Sequence, residues 1–466
     1  MRSTTLGILA GLLMLLVQVP ASACDQNLCS TRLMGVLTSG SQGTAIPIAN
    51  AIVTLYKASD HEPRSLGSSS TNASGQFSIT VPKQAPDETR YAIAIKGVIA
   101  LATIIAPTDS TSIRINEMST VGTAYALAQF LDGQRIRGSK KSLMVAAGMF
   151  RNLVDPANGT ISSVLAHPPN ADQTNARKLM ATLSNVIAKC VRDRYQQDCE
   201  RLFKITRVEG STPGNTLEAI NSITHHPSNN LKSIFSFADR VTAYTPALGV
   251  EQGPSARNEL FRLDAFTVAV KVNATGRKNA KGQEICPFGG PGNLVFDPDG
   301  WAWITNNVVQ GEPVSANCFF VLKPDGSPSD GRNGTPNSPL FGGGVLGQGF
   351  GITRDPSGNI WSGNFGWGGL NPNGSVSKFS SKGLPLSPST GFISTLNRVQ
   401  GTTADQSGNI WMASYYGDSV QIFPKGKPYT NYPAYQDLEN EKPFHIVVDG
   451  QGAGWVSYTG TSTLSK

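Results

Sequence analysis

Charge is scarce in this chain. Only 15% of its 466 residues are Asp, Glu, Lys or Arg, and the formal net charge is +7. That balance does not suit long exposed helices. The densest basic cluster, Arg135, Arg137, Lys140 and Lys141, has no interleaved aromatics. It reads as a solvated loop, so no nucleic-acid surface is expected. Past the N-terminus no apolar run approaches the ~18 residues of a membrane span. No Gly-x-Ser-x-Gly turn occurs, and a lone Asp-x-Asp-Gly at Asp297 lacks the later Glu of an EF-hand, so neither a serine elbow nor a calcium loop is expected. Histidine numbers only five. His61 and His167 fall in polar or Pro-rich turns, and the pair His225 and His226 lacks a third ligand, so no metal set and no cofactor are expected. What is abundant is turn-forming residues, 49 Gly and 29 Pro, which suits β-rich structure.

The N-terminus has a basic start at Arg2, an apolar stretch from Leu6 to Val19, and Ala21-Ser22-Ala23. This is the pattern of a secretory signal over 1–23, with 24–31 as a short tether. Export to the periplasm, the cell envelope or the medium follows. It makes the six cysteines readable as disulfides, most simply the local pairs Cys24–Cys29, Cys190–Cys199 and Cys286–Cys318. Cys24 would be the first mature residue, where a bacterial lipoprotein carries its lipid. The segment before it lacks the usual large aliphatic residue, so a lipid anchor is the less favoured use.

The strongest signal is a phrase repeated four times: Asp, two residues, Gly, two residues, Trp. Its copies are Asp297, Gly300 and Trp303; Asp355, Gly358 and Trp361; Asp405, Gly408 and Trp411; Asp449, Gly452 and Trp455. Each follows a short apolar run, so each is expected to be a tight turn between two strands. Asp bonds the backbone ahead, Gly takes a positive φ, and Trp anchors the second strand. Third strands recur at Cys318–Leu322, Ser375–Phe379 and Ser419–Phe423. Spacings of roughly 45–60 residues are those of four-stranded propeller blades.

Three modules are expected, mainly β in total. Residues 32–115 alternate as strands at Arg32–Leu37, Ala51–Lys57, Gln76–Val81, Tyr91–Lys96 and Val98–Ile105. Within them Pro47, Asn50, Ala51 and Val53, then Thr71, Gly75 and Phe77, resemble the carboxypeptidase regulatory-like domain. That resemblance implies a prealbumin-like β-sandwich serving as a non-catalytic spacer or adhesion module. Residues 116–241 change to helical period and read as an all-α domain. Val121, Ala124, Tyr125, Ala128 and Leu131 mark a first helix capped by Ser119 or Thr120. Leu143–Val154 holds a second and Ala176–Cys190 a third, before shorter helices around Leu202, Ile220 and Ile234. A connector over 242–257 leads to the propeller, 258–466. There Gly351, Asp355, Gly358, Trp361 and Asn364, then Ser375, Val376 and Phe379, resemble the NHL-type propellers related to streptogramin (virginiamycin B) lyase. Four blades are fewer than such rings use. The expectation is a truncated propeller, the alternative a ring closed by a strand at Leu260–Val272.

In that lyase family a His stands five residues before the turn Asp and a carboxylate three after the Trp, with a metal nearby. Here the first position holds Gly292, Phe350, Gln400 and Phe444, and the second Asn306, Asn364, Ser414 and Tyr458. His445 is displaced by one residue, which strand alternation turns to the opposite face. The reading is therefore a non-catalytic binding or scaffold protein that recognises a protein, peptide or glycan through one propeller face. The alternative is a metal-dependent lyase or lactonase. The candidate contacts are Asn293, Trp367, Gln400, Phe444 and His445. Trp301 and Trp367 stand outside the repeated Trp positions, which marks both as free for ligand contact.

Overall fold

A computed structural model of the chain describes residues 30–466 except 110, 196, 249–263, 369–373, 394, 429–431 and 436–440. The leader expected over 1–23, Cys24, Cys29 and residues 249–257 of the expected connector lie outside the described residues. The chain opens with β1 (Ser30–Ser39), β2 (Ile46–Pro47), β3 (Ile52–Lys57), β4 (Arg64–Ser70), β5 (Gln76–Pro82), β6 (Arg90–Lys96), β7 (Ile99–Ile105) and β8 (Ser112–Ile115). One sheet has the order β2-β1-β5 with β8 parallel to β1; the other is β4-β3-β6-β7 and wholly antiparallel. Alternation does the sorting: Phe77, Ile79 and Val81 of β5 are buried while Gln76, Thr80 and Pro82 are exposed. Gly75 turns the chain ahead of β5 at φ 73°, a left-handed conformation that a Cβ would strain.

The helical segment holds α1 (Glu117–Ala126), α2 (Lys140–Leu153), α3 (Ser163–Ala166), α4 (Asn170–Gln173), α5 (Ala176–Val191), α6 (Gln197–Ile205), α7 (Thr216–His225) and α8 (Leu231–Phe237). It is not purely α. Two small hairpins, β9 (Leu131–Asp132) with β10 (Arg135–Ile136) and β11 (Val154–Asp155) with β12 (Thr160–Ile161), punctuate it. The first cap also differs from expectation. Asn116 is the N-cap, accepting from the Ser119 N–H at 2.9 Å, while the Ser119 hydroxyl accepts from the Asn116 N–H at 3.0 Å. Ser119 is thus the return half of a capping box. The α5 stripe predicted by period is buried, from Leu179 to Cys190, and a Cys190–Cys199 disulfide ties α5 to α6. One apolar core runs from the two sheets into these helices, with α1 lying on β7 and α5.

Four further sheets follow. They are β13 (Pro291–Phe296), β14 (Ala302–Asn306) and β15 (Phe319–Leu322); β16 (Gln348–Arg354), β17 (Ile360–Asn364) and β18 (Ser375–Phe379); β19 (Val399–Ala404), β20 (Ile410–Ser414), β21 (Ser419–Phe423) and β22 (Tyr432–Tyr435); and β23 (Pro443–Val448), β24 (Gly454–Tyr458) and β25 (Thr463–Ser465). All their pairings are antiparallel. Their first strands are neighbours in succession, β13 to β16 to β19 to β23, the arrangement of propeller blades around an axis. A second disulfide, Cys286–Cys318, braces the first sheet.

The repeated phrase is a hydrogen-bonded unit. In each copy one Asp oxygen accepts the backbone N–H four residues ahead, from Trp301, Asn359, Asn409 and Ala453 at 2.8–3.0 Å. The other oxygen accepts the indole N–H of the repeated Trp at 2.9–3.0 Å in all four. Gly300, Gly358, Gly408 and Gly452 sit at φ between 80° and 85°, as the turn demands. The indole bond explains why Trp recurs where another aromatic would also fill space.

The strand expected at Leu260–Val272 is not formed over its described part, 264–272, and 260–263 lie outside the described residues. Its backbone pairs with the helices instead. The Phe266 N–H donates to the Pro227 carbonyl, Tyr125 donates its hydroxyl to the Phe266 carbonyl, and the Lys271 N–H donates to Asn170. This segment therefore closes no ring. Leu294 illustrates the consequence. It is 48% exposed, whereas its register equivalents Ile352, Thr402 and Ile446 are buried, each under the sheet before its own.

Candidate functional site

All four inner strands begin at one end of the propeller, opposite the Asp-to-Trp turns. There the residue after each second strand donates its N–H to the carbonyl of the residue before each first strand. The four pairs are Asn307 to Gly290 and Phe365 to Gly347 at 2.7 Å, Tyr415 to Arg398 at 2.9 Å, and Thr459 to Lys442 at 3.1 Å. Just inside, every inner strand slips register: between Pro291 and Leu294, Gln348 and Ile352, Val399 and Gly401, and Pro443 and His445. Such bulges leave a residue unpaired and re-aim its side chain. Asn293, Phe350, Gln400 and Phe444 lie within these slips. Simple alternation is therefore no guide to where His445 points, because the bulge at Phe444 precedes it.

The bulges and the neighbouring loops gather aromatic rings from three sheets. Phe350 lies 5.6 Å from Phe444, and Phe444 6.3 Å from Tyr415, between ring centroids. Tyr415 is 4.9 Å from Tyr416 and 5.7 Å from Phe365. None of the five is buried; Tyr416 is 50% exposed and the others are half-buried. Two cations complete the mouth. The Arg398 guanidinium lies 5.1 Å from the Phe365 ring and 5.2 Å from that of Tyr416, and the Lys442 ammonium 5.9 Å from Tyr416. These are cation–π distances.

Among the five residues singled out by sequence, Gln400 is buried, and its side-chain oxygen accepts the Phe350 N–H at 3.3 Å. Phe444 lies inside the ring cluster. Trp367, 43% exposed, is at the same end, in the loop after β17, and exchanges hydrogen bonds with Ser315 in the loop between β14 and β15. The Asn293 side-chain Oδ1 accepts the Leu294 N–H at 2.8 Å. His445 is half-buried opposite Ser457, and among the described residues no carboxylate oxygen lies within 4 Å of its ring nitrogens. Trp301 is elsewhere. It lines a cavity of about 600 Å³ beside α2 at the turn end, so the two free tryptophans are not brought together.

Three past the Trp, Asn306 and Asn364 are buried and structural. Asn306 accepts from the Gly289 and Gly290 N–H groups, and Asn364 donates to the Gly344 carbonyl and the Ser375 and Ser377 hydroxyls. Among the described residues no group of three His, Cys, Asp or Glu side chains is placed to hold a metal ion. Phe365, Tyr415, Tyr416, Arg398 and Lys442 escaped the sequence reading. A signal existed: Phe365 and Tyr415 each stand four residues past a repeated Trp, and Arg398 and Lys442 each seven before a repeated Asp.

At the opposite end, three repeat carboxyls are held below their ordinary range. For Asp355 and Asp405 burial pushes upward, but hydrogen bonds from Trp361 and Asn359, and from Trp411 and Asn409, more than offset it. For Asp449 the bond from Trp455 is the leading cause.

No protein-family model matches the chain, and no curated protein matches it. Solved structures similar to its C-terminal region include a virginiamycin B lyase from Staphylococcus aureus with quinupristin. The two are 16% identical over 38% of this chain and 54% of that one, with a TM-score of 0.26. A nidogen/laminin complex is 19% identical over 38% of this chain and 59% of that one, TM-score 0.29. A luciferin-regenerating enzyme is 14% identical over 36% and 54%, TM-score 0.27. The chain thus spans only 54–59% of the length of these structures, at low identity.

Proposed function

We propose that this is a binding protein of the cell envelope or the extracellular space, whose propeller mouth recognises its ligand without transforming it. The observation that carries the reading is the convergence of Phe350, Phe365, Tyr415, Tyr416 and Phe444, five incompletely buried rings from three sheets, at one end. Large rings left partly in water contribute contact area when a partner covers them. The sandwich and helices serve as a spacer that holds the propeller away from its point of attachment. Two disulfides and the leader-like N-terminus support an oxidising location. No described helix is long and apolar enough to cross a membrane. The alternative, a lyase or lactonase, needs a base and carboxylates at positions that hold Gly292, Phe350, Gln400 and Phe444, and Asn306, Asn364, Ser414 and Tyr458.

The test is a glycan and peptide array probed with the wild-type protein and with Tyr416→Ala and Phe444→Ala. Ligands retained by the wild type are expected to fall at least about tenfold with each variant, the scale of an interfacial aromatic anchor. Retention unchanged by both variants would place recognition elsewhere.

A further inference from the structure

The positions that open the inner strands are equivalent by hydrogen bonding, yet they are filled differently. Gly347 takes φ 86°, where glycine is at ease. Arg398 and Lys442 take φ 54° and 51° at the same place in the next two sheets. A long basic side chain is a poor choice for left-handed backbone, and residues held so gather at functional sites. Among the described residues no carboxylate oxygen lies within 4 Å of either cationic group. The nearby Asp418 carboxylate accepts the backbone N–H of Lys442 at 3.2 Å rather than pairing with its ammonium. Both cations instead flank the half-exposed Tyr416 ring, and among the described residues no carboxylate takes up their hydrogen-bond donors.

We propose that the mouth binds a uronate-containing glycan, with Arg398 and Lys442 receiving the sugar carboxylate and the rings receiving the sugar's C–H faces. This rests on the mouth being the binding site, as proposed above. The carboxylate follows from two cations on one ring that no described carboxylate pairs, because guanidinium and carboxylate make charge-assisted bonds. The sugar follows from the rest of the surface. Strand ends and joining loops form the mouth, and their backbone groups are committed to one another: the Tyr415 N–H to Arg398, the Tyr416 N–H to Asn397, the Phe365 N–H to Gly347. An acidic peptide is held by an open strand edge or by a cluster of Arg side chains, and among the described residues the mouth offers one Arg, Arg398, and backbone groups already paired. A sugar needs ring faces with scattered donors and acceptors, which the Tyr415 and Tyr416 hydroxyls and exposed Asn397 supply.

The probes are trigalacturonate, its neutral methyl ester and a hexaglutamate peptide, each titrated by calorimetry against the full chain. The protein variants are Arg398→Gly, Lys442→Gly and Phe444→Ala. Glycine suits both left-handed positions, so the first two variants keep the fold, and circular dichroism melts verify it. Trigalacturonate is expected to bind, to weaken about tenfold or more with either glycine variant, and to weaken further as salt rises. The ester and hexaglutamate are expected to bind at least about tenfold more weakly. An ester that binds as tightly as the acid, and is lost in Phe444→Ala, overturns the uronate assignment while leaving the mouth as the site. Equal or tighter binding of hexaglutamate, or no binding of trigalacturonate, overturns it too. Trigalacturonate binding unchanged in all three variants overturns the mouth itself.

Discussion

Replacing Asp355 with Asn keeps the shape of the turn and removes one acceptor. The carboxylate receives the Trp361 indole N–H at 2.9 Å and the Asn359 backbone N–H at 2.8 Å on separate oxygens. An amide has one oxygen, so one donor then faces an NH₂ group. Trp361 is fully buried and Asp355 only 7% exposed, so water cannot take the missing role. A hydrogen bond to a charged group contributes about 1.5–3 kcal/mol, and a buried donor left unsatisfied costs about 1–3 kcal/mol. These two figures describe one loss seen from its two ends, so Asp355→Asn should destabilise by about 2–3 kcal/mol. For a region of this size that is a fall in Tm of roughly 4–12 °C. Trp361→Phe removes the donor, and the double variant Asp355→Asn with Trp361→Phe closes a cycle whose coupling should be about 1.5–3 kcal/mol. Thermal melts and urea titrations followed by circular dichroism measure all four proteins. Asp449→Asn, at a more exposed copy, is the control and should lower Tm less. A coupling below about 0.5 kcal/mol, the usual scatter of additivity, would refute the indole–carboxylate bond as the element that fixes the turn. So would a fall in Asp449→Asn as large as in Asp355→Asn.

The same carboxyls set the acid response. Asp355, Asp405 and Asp449 are depressed in the folded state, so their contribution is full above about pH 4, the unfolded carboxyl value, and is lost as pH falls through the folded values. Stability measured from pH 5 to pH 2 should therefore decline with proton uptake on unfolding, and Asp355→Asn should flatten that slope; an unchanged slope would count against it. At the mouth, Arg398→Gly releases a left-handed strain of about 1–2 kcal/mol and should raise Tm or leave it unchanged. A clear drop in Tm would mean that the guanidinium stack on Phe365 and Tyr416 holds the loop together.

Period and punctuation made much of the architecture legible. The α5 stripe, the alternation of β5 and the four Asp-to-Trp turns needed only local geometry, since helical and strand periods are properties of the backbone. Two readings went astray where a longer-range partner decided the matter. The α1 cap moved to Asn116 because a box needs both its partners, and the sequence around Ser119 offered several hydroxyls. The strand expected at Leu260–Val272 is, over its described part 264–272, an irregular strap, because its amides found Pro227 and Asn170 before any sheet. For His445 the register shift between Pro443 and His445 removes the basis of plain alternation, and its outward turn stays an expectation.

The chain's own order of residues determined the repeat. Asp, Gly and Trp at fixed offsets can close only one kind of turn, whatever surrounds them. It could not determine the mouth. Tyr415 and Phe444 are 29 positions apart in sequence, yet their rings meet because successive sheets stack around one axis. Nor could composition announce that Arg398 and Lys442 share one ring. That requires two loops from different sheets to end at the same height, which only packing in three dimensions imposes.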